Sequence, residues 1–170
     1  TLTALLLERN TFNDPNKPED GLQGFGIALS VAGIGVFLGA ILAPYGVAKF
    51  GRHRWIKFAM FASAAAPLIL ATSQTEIALS ITAFLASFFG QNIKVTNDAL
   101  VQSKIDDYYR GRVFAVYDVV VNGAIVSGGL IAALLLPTSG LTPNVPLVVS
   151  AAYLLVAVVV LRTAKFKAIY

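Results

Sequence analysis

Residues 22–50 read LQGFGIALSVAGIGVFLGAILAPYGVAKF. No Asp, Glu, Lys or Arg interrupts the stretch before Lys49. A helix needs roughly 20 apolar residues to cross the hydrocarbon core of a bilayer. This stretch exceeds that, and a helix apolar all round belongs in lipid or in a large core. It is therefore expected to span a membrane. Gly33, Gly35 and Gly39 lie in its middle, and the spacing Gly35-x-x-x-Gly39 is a small-residue motif that lets helix backbones approach closely. Pro44 is expected to bend the helix near its end.

Four more apolar blocks follow the same logic, at about 55–71, 77–103, 113–136 and 147–161. The block at 55–71 holds a small-residue run, Ala62 to Pro67, and neighbouring helices can satisfy the carbonyl that the proline frees. The connections are polar or tight: Gly51–Arg54 (GRHR), Ser73–Glu76 with capping residues, Ile105–Arg112, and Pro137–Pro146 with three prolines. Ahead of the first span, residues 8–21 form a polar loop. Thr1–Leu7 (TLTALLL) is too short to cross a bilayer at about 1.5 Å per residue. It reads as the outer end of a helix that begins upstream, and hence the chain as a fragment. The expected architecture is all-α: a polytopic membrane helix bundle, one membrane domain over 22–170.

Composition agrees. Hydrophobic residues make up 56% of the chain and charged residues 13%, against roughly 25% charged in a soluble domain. The net charge of +4 does not point to nucleic acid, because the basic residues sit in short clusters between apolar blocks. The absence of cysteine excludes disulfides and thiolate metal sites. The single histidine, His53, lies in a basic turn and makes no metal spacing. There is no nucleophile motif and no phosphate loop, so neither an enzyme nor a cofactor is expected.

The loops alternate in charge. Lys49, Arg52, Arg54 and Lys57, then Lys104, Arg110 and Arg112, then Arg162, Lys165 and Lys167 fall on one side. Arg9 and Lys17 fall on the other, outnumbered by Glu8, Asp14, Glu19 and Asp20. Short basic loops stay cytoplasmic, which predicts a cytoplasmic C-terminus. Tyr45, Phe50, Trp55, Tyr108 and Tyr109 flank the basic turns, at a level that suits the headgroups.

One span is unusually polar. Ser87, Gln91, Lys94, Asp98 and Gln102 share a helical stripe, flanked by Asn92 and Asn97. A charge inside a span costs at least about 2.5–3.5 kcal/mol, so it faces protein or water. Ser87, Gln91, Asn92, Lys94 and Asp98 are thus expected to line a hydrated cavity. For Asp98 and Gln102, near the end of the helix, a wet extension beyond the membrane is the competing reading. Lys94 and Asp98, four apart, can pair. In the next span Asp118 and Asn122 share a face, with Arg110 and Arg112 one to two turns before. Asp118 could hold a proton or cation or close an inner gate. A plain structural salt bridge to Arg110, Arg112 or a loop of the missing half would also account for it.

Two loops resemble a known family. Pro44–Arg54 (PYGVAKFGRHR) is similar to the second copy of the signature loop of the major facilitator superfamily, G-x-x-x-D-R-x-G-R-R/K. Gly51 and Arg52 match its later glycine and arginine, while Ala48 stands where it has aspartate. Asp107–Ala115 (DYYRGRVFA) resembles the turn between the tenth and eleventh helices of bacterial permeases of the enterobactin-exporter and drug-exporter type. The resemblance implies the C-terminal half of a twelve-helix fold, from the end of helix seven to helix twelve. Its partners would be the N-terminal half of the same permease and the lipid bilayer of a bacterial inner membrane. Its function would be secondary transport of a small-molecule substrate, an exporter of drug-like or siderophore-like compounds driven by protons. A non-transporting half-permease or assembly partner is the alternative.

Overall fold

The computed structural model describes residues 2–14 and 16–167. Thr1, Pro15 and the end of the basic tail at 168–170 lie outside the described residues, as do the side chains of Lys165 and Lys167. The fold is all-α, with no strand among the described residues. The helices are α1 (Leu2–Leu7), α2 (Pro18–Phe50), α3 (Arg52–Thr72), α4 (Glu76–Lys104), α5 (Asp107–Leu135) and α6 (Asn144–Lys167). Four of them, α2 to α5, are long and apolar enough to cross a membrane, and α6 carries a shorter apolar stretch, Asn144–Val160.

Several ends differ from the hydropathy limits, because hydropathy marks where lipid begins and not where helix begins. Pro18 starts α2 from the first-turn position that suits a residue without an amide proton. Asp106 caps α5, accepting from the amide of Tyr108 at 3.4 Å. The segment Asp107–Arg112, expected as a turn, is therefore the first turns of a helix. Within the expected loop 8–21, Glu8–Phe12 forms a π-helical turn.

Glycine decides how α2 packs. Helices α2 and α4 run side by side with their backbones nearly touching. A Cβ on Gly35 would lie 2.6 Å from the carbonyl oxygen of Phe84, and one on Gly39 would lie 2.5 Å from that of Phe88. Both contacts meet backbone, which cannot swing aside. The Gly35-x-x-x-Gly39 motif is thus the α2–α4 seam, and its direct partner is the Phe84–Phe88 turn. At the end of α2, Gly51 adopts φ 79° and turns the chain straight into α3. Only glycine takes that conformation without strain.

Helix α3 packs on α4 and α6, and hydroxyls stitch it on both sides. Ser150 of α6 donates to the carbonyl of Ala64 at 2.5 Å, and Thr82 of α4 donates to that of Ala66 at 3.3 Å. Both carbonyls lie in the turn before Pro67, whose missing amide proton leaves the Ser63 carbonyl, beside Ala64, without its helical donor. The end of the bundle away from the Gly51 turn is closed by polar segments. Thr11 donates to the carbonyl of Ser139 at 2.7 Å, and Asn10 donates to that of Thr138. A small apolar core of Leu7, Ala28, Leu70 and Leu79 lies beneath them.

Glu8 is buried in that corner, over Gly24, with a hydrogen bond from Asn13 at 3.2 Å. Burial, and then the nearby charge of Glu76, push its carboxyl above the usual 4.5. A carboxyl raised in the folded state favours folding while both states hold the proton. That contribution is lost as pH rises from about the unfolded value through the folded one. Glu8→Gln is therefore expected to raise the unfolding temperature at pH 7. The gain should shrink as pH falls through the carboxylate range, which thermal scans between pH 4 and pH 8 would read.

Candidate functional site

Helix α4 organises the polar residues. Thr75 caps it, accepting from the amide of Ala78 at 3.2 Å, and the helix then runs unbroken to Lys104. Its sides serve different neighbours. One side meets α2 through Phe84, Phe88 and the Cβ of Gln91, which sits against Gly39. The Gln91 amide makes no hydrogen bond to any described residue, and its side chain is half-buried.

A second side carries Asn92 and Thr96 into the protein. Asn92 is fully buried. Its Oδ1 accepts from the indole Nε1 of Trp55 at 3.2 Å, and its Nδ2 donates to the carbonyl of Phe88 at 2.8 Å. Thr96 donates back to the carbonyl of Asn92 at 2.7 Å. Asn92, expected to line a hydrated cavity, instead ties α4 to the start of α3. One residue along a helix turns the side chain by about 100°, so it leaves the stripe of Gln91 and points into the bundle. Trp55 is wedged in place by an offset stack on Phe50 at 5.8 Å between centroids, by Phe58, and by the bare backbone of Gly46 under its ring.

The third side holds the charges. Lys94 Nζ lies 2.7 Å from Asp98 Oδ2. The other carboxylate oxygen, Oδ1, is buried and has no hydrogen-bond partner. Tyr117 and Asp118 of α5 stand within electrostatic reach of the pair, and the Tyr117 hydroxyl faces the Asp98 carboxylate. The structure thus pairs Lys94 with Asp98 on α4 and sets Tyr117 and Asp118 of α5 near enough for their charges to be felt. The sequence places Lys94 and Asp98 on one stripe and Asp118 on another, and does not single out Tyr117 as a site residue. The signal available is its place next to Asp118.

The grouping of Asp118 with the basic residues before it is not formed. Arg110 pairs with Asp107 on its own turn. Arg112 is exposed and in no ion pair among the described residues. Asn122 donates to the backbone carbonyl of Asp118 at 2.8 Å and does not reach its carboxylate. Helix α5 buries none of its residues, so this face is open. Ser87 lines a separate, largely apolar cavity of about 290 Å³, together with Ala28, Pro67, Leu79, Thr82 and Pro146. Gly51 and Arg52 lie at the α2–α3 turn, where Arg52 borders a groove between α2 and α4. No cluster of metal-ligating side chains exists among the described residues.

The family profile of the Major Facilitator Superfamily matches residues 17–168. The chain belongs to this superfamily. It is a multi-pass membrane protein, and membership agrees with a reading as a transporter component rather than an enzyme. Uncharacterized MFS-type transporters of Mycobacterium bovis and Mycobacterium tuberculosis are each 33% identical to it over 134 residues. The alignments cover 77% of the chain but 30% of each relative, so the chain spans about a third of the length of the curated relatives it matches. No solved structure matches the chain. Among the described residues of this superfamily member, the charged pair set deepest in a long helix is Lys94–Asp98, on the most polar of the spans.

Proposed function

We propose that the chain forms the C-terminal half of a secondary transporter, in which the Lys94–Asp98 side of α4, with Gln91 at its border with α2, lines the substrate path. The observation that carries this is the Lys94–Asp98 pair, set inside the most polar of the spans, with Tyr117 and Asp118 of α5 within electrostatic reach. Charges at such depth are retained where they face water, substrate or an ion. The free amide of Gln91 adds a hydrogen-bonding group where this side borders α2. Asn92 belongs to the scaffold. The basic turns suit a cytoplasmic placement, with both Gly51–Arg54 and the C-terminal tail inside.

The finer reading is an exporter of drug-like or siderophore-like compounds coupled to protons, in a bacterial inner membrane. Asp98 and Asp118 are the carboxylates available for a proton, and the N-terminal half would complete the site. The test uses the full-length transporter in proteoliposomes under an imposed proton gradient. Gln91→Leu, Asp98→Asn and Asp118→Asn are each expected to cut transport about tenfold or more, the effect of losing ~1.4 kcal/mol in the rate-limiting state. Their unfolding temperatures should stay near that of the parent. Unchanged transport in all three would sink the proposal and favour a non-transporting assembly role. Transport that ignores the gradient would remove the proton coupling alone.

A further inference from the structure

Between Asp20 and Glu76 the chain has no acidic residue, yet Lys49, Arg52, Arg54 and Lys57 cluster at the α2–α3 turn. None of the four forms an ion pair among the described residues; the pairs that do form, Lys94–Asp98 and Arg110–Asp107, lie on α4 and α5. Lys49 rests over the ring of Phe50, 5.5 Å from its centroid, which leaves its charge open to solvent or headgroups. This corner is therefore a concentrated positive charge with no counterion among the described residues.

Directly beside it runs a groove of about 280 Å³ between α2 and α4. Ala43, Pro44, Val47, Val95 and Ala99 form its walls, and Arg52 stands at its end. The walls are apolar by composition and wide because their residues are small. Thr96, the polar side chain among them, donates its hydroxyl to the Asn92 carbonyl and offers the groove no free proton. A hydrocarbon tail fits such a surface, and water gains little from it.

An apolar channel ending in an unpaired guanidinium has the chemistry of a site for an amphiphile with an anionic head. We infer that this groove binds an anionic phospholipid, its phosphate on Arg52 and neighbouring cations and one acyl chain along Val47, Val95 and Ala99. Arginine matches phosphate with a planar fork of donors, and basic pockets between membrane helices are where anionic headgroups bind. The commitment to lipid over another helix follows from the charge: a phosphate supplies the counterion that the α2–α4 corner lacks.

The test places the full-length transporter in nanodiscs of phosphatidylcholine doped with phosphatidylglycerol that carries a photoreactive acyl chain. Cross-linked peptides are mapped by mass spectrometry. Label is expected on the peptides spanning 43–48 and 95–99. It should fall about fivefold in Arg52→Ala, as one basic residue near an anionic surface contributes ~1 kcal/mol. Ala99→Phe, which fills the groove, should lower it as well, whereas Lys17→Ala at the other end of the bundle should not. Photoreactive phosphatidylcholine of the same chain should label these peptides weakly, a comparison that needs no variant to fold. Equal labelling by both lipids, or label that survives both Arg52→Ala and Ala99→Phe, overturns the inference. So does a groove that takes no label because a helix of the other half occupies it.

Discussion

Gly39→Leu is expected to lower the unfolding temperature of the full-length transporter steeply, while Gly33→Leu leaves it nearly unchanged. A side chain at Gly39 would start 2.5 Å from the Phe88 carbonyl oxygen and 3.1 Å from the Gln91 Cβ. The first of these is backbone, so relief requires α2 and α4 to separate. Forcing extra carbon into a packed seam costs about 1–3 kcal/mol, and more where the obstacle is backbone. Gly33 faces open space, with nothing within 4 Å of a built Cβ. The pair thus separates a packing effect from a helix-propensity effect, since both changes replace glycine by leucine in one helix. Equal losses at the two positions in a thermal scan would show that α2 and α4 do not meet at Gly39.

Asn92→Leu is the second large effect. The change leaves the Trp55 indole N–H without its acceptor inside the bundle. A buried donor left unpaired costs about 1–3 kcal/mol. Trp55→Phe should cost a similar amount, because it strands the Asn92 oxygen. The double variant, Asn92→Leu with Trp55→Phe, should lose less than the sum of the two, since neither partner is then left unmatched. Strict additivity in the cycle would show that the 3.2 Å contact contributes nothing. On the proposed function, transport by the stable remainder of Asn92→Leu should persist, which sets it apart from Gln91→Leu one residue earlier.

These two cases also show how far the sequence can be read. Residue spacing makes Gly35 and Gly39 legible as a close-approach motif, but spacing within one helix does not say which helix approaches. Periodicity places Gln91, Lys94 and Asp98 on one stripe, and the Lys94–Asp98 pair forms as their spacing of four suggests. The same periodicity leaves Asn92 beside that stripe, and its direction depends on where α3 stands. Trp55 is readable as a headgroup-level aromatic, while its hydrogen bond depends on the sharp turn at Gly51 and the bare backbone at Gly46. Tyr117 joins the polar group by lying near Asp98 of another helix, to which no local pattern corresponds. The π-helical turn at Glu8–Phe12 likewise meets the loop at Ser139 through Thr11, a contact that no local pattern announces.

Trp55 is the one tryptophan in the chain. Its indole sits where α2, α3 and α4 converge, stacked on Phe50 and bonded to Asn92. Emission from such a ring responds to the polarity and hydrogen bonding around it. The junction therefore carries a built-in optical gauge: if these three helices part company during a working cycle, the ring is wetted and its light shifts to the red, whereas if they travel as one block its colour holds constant.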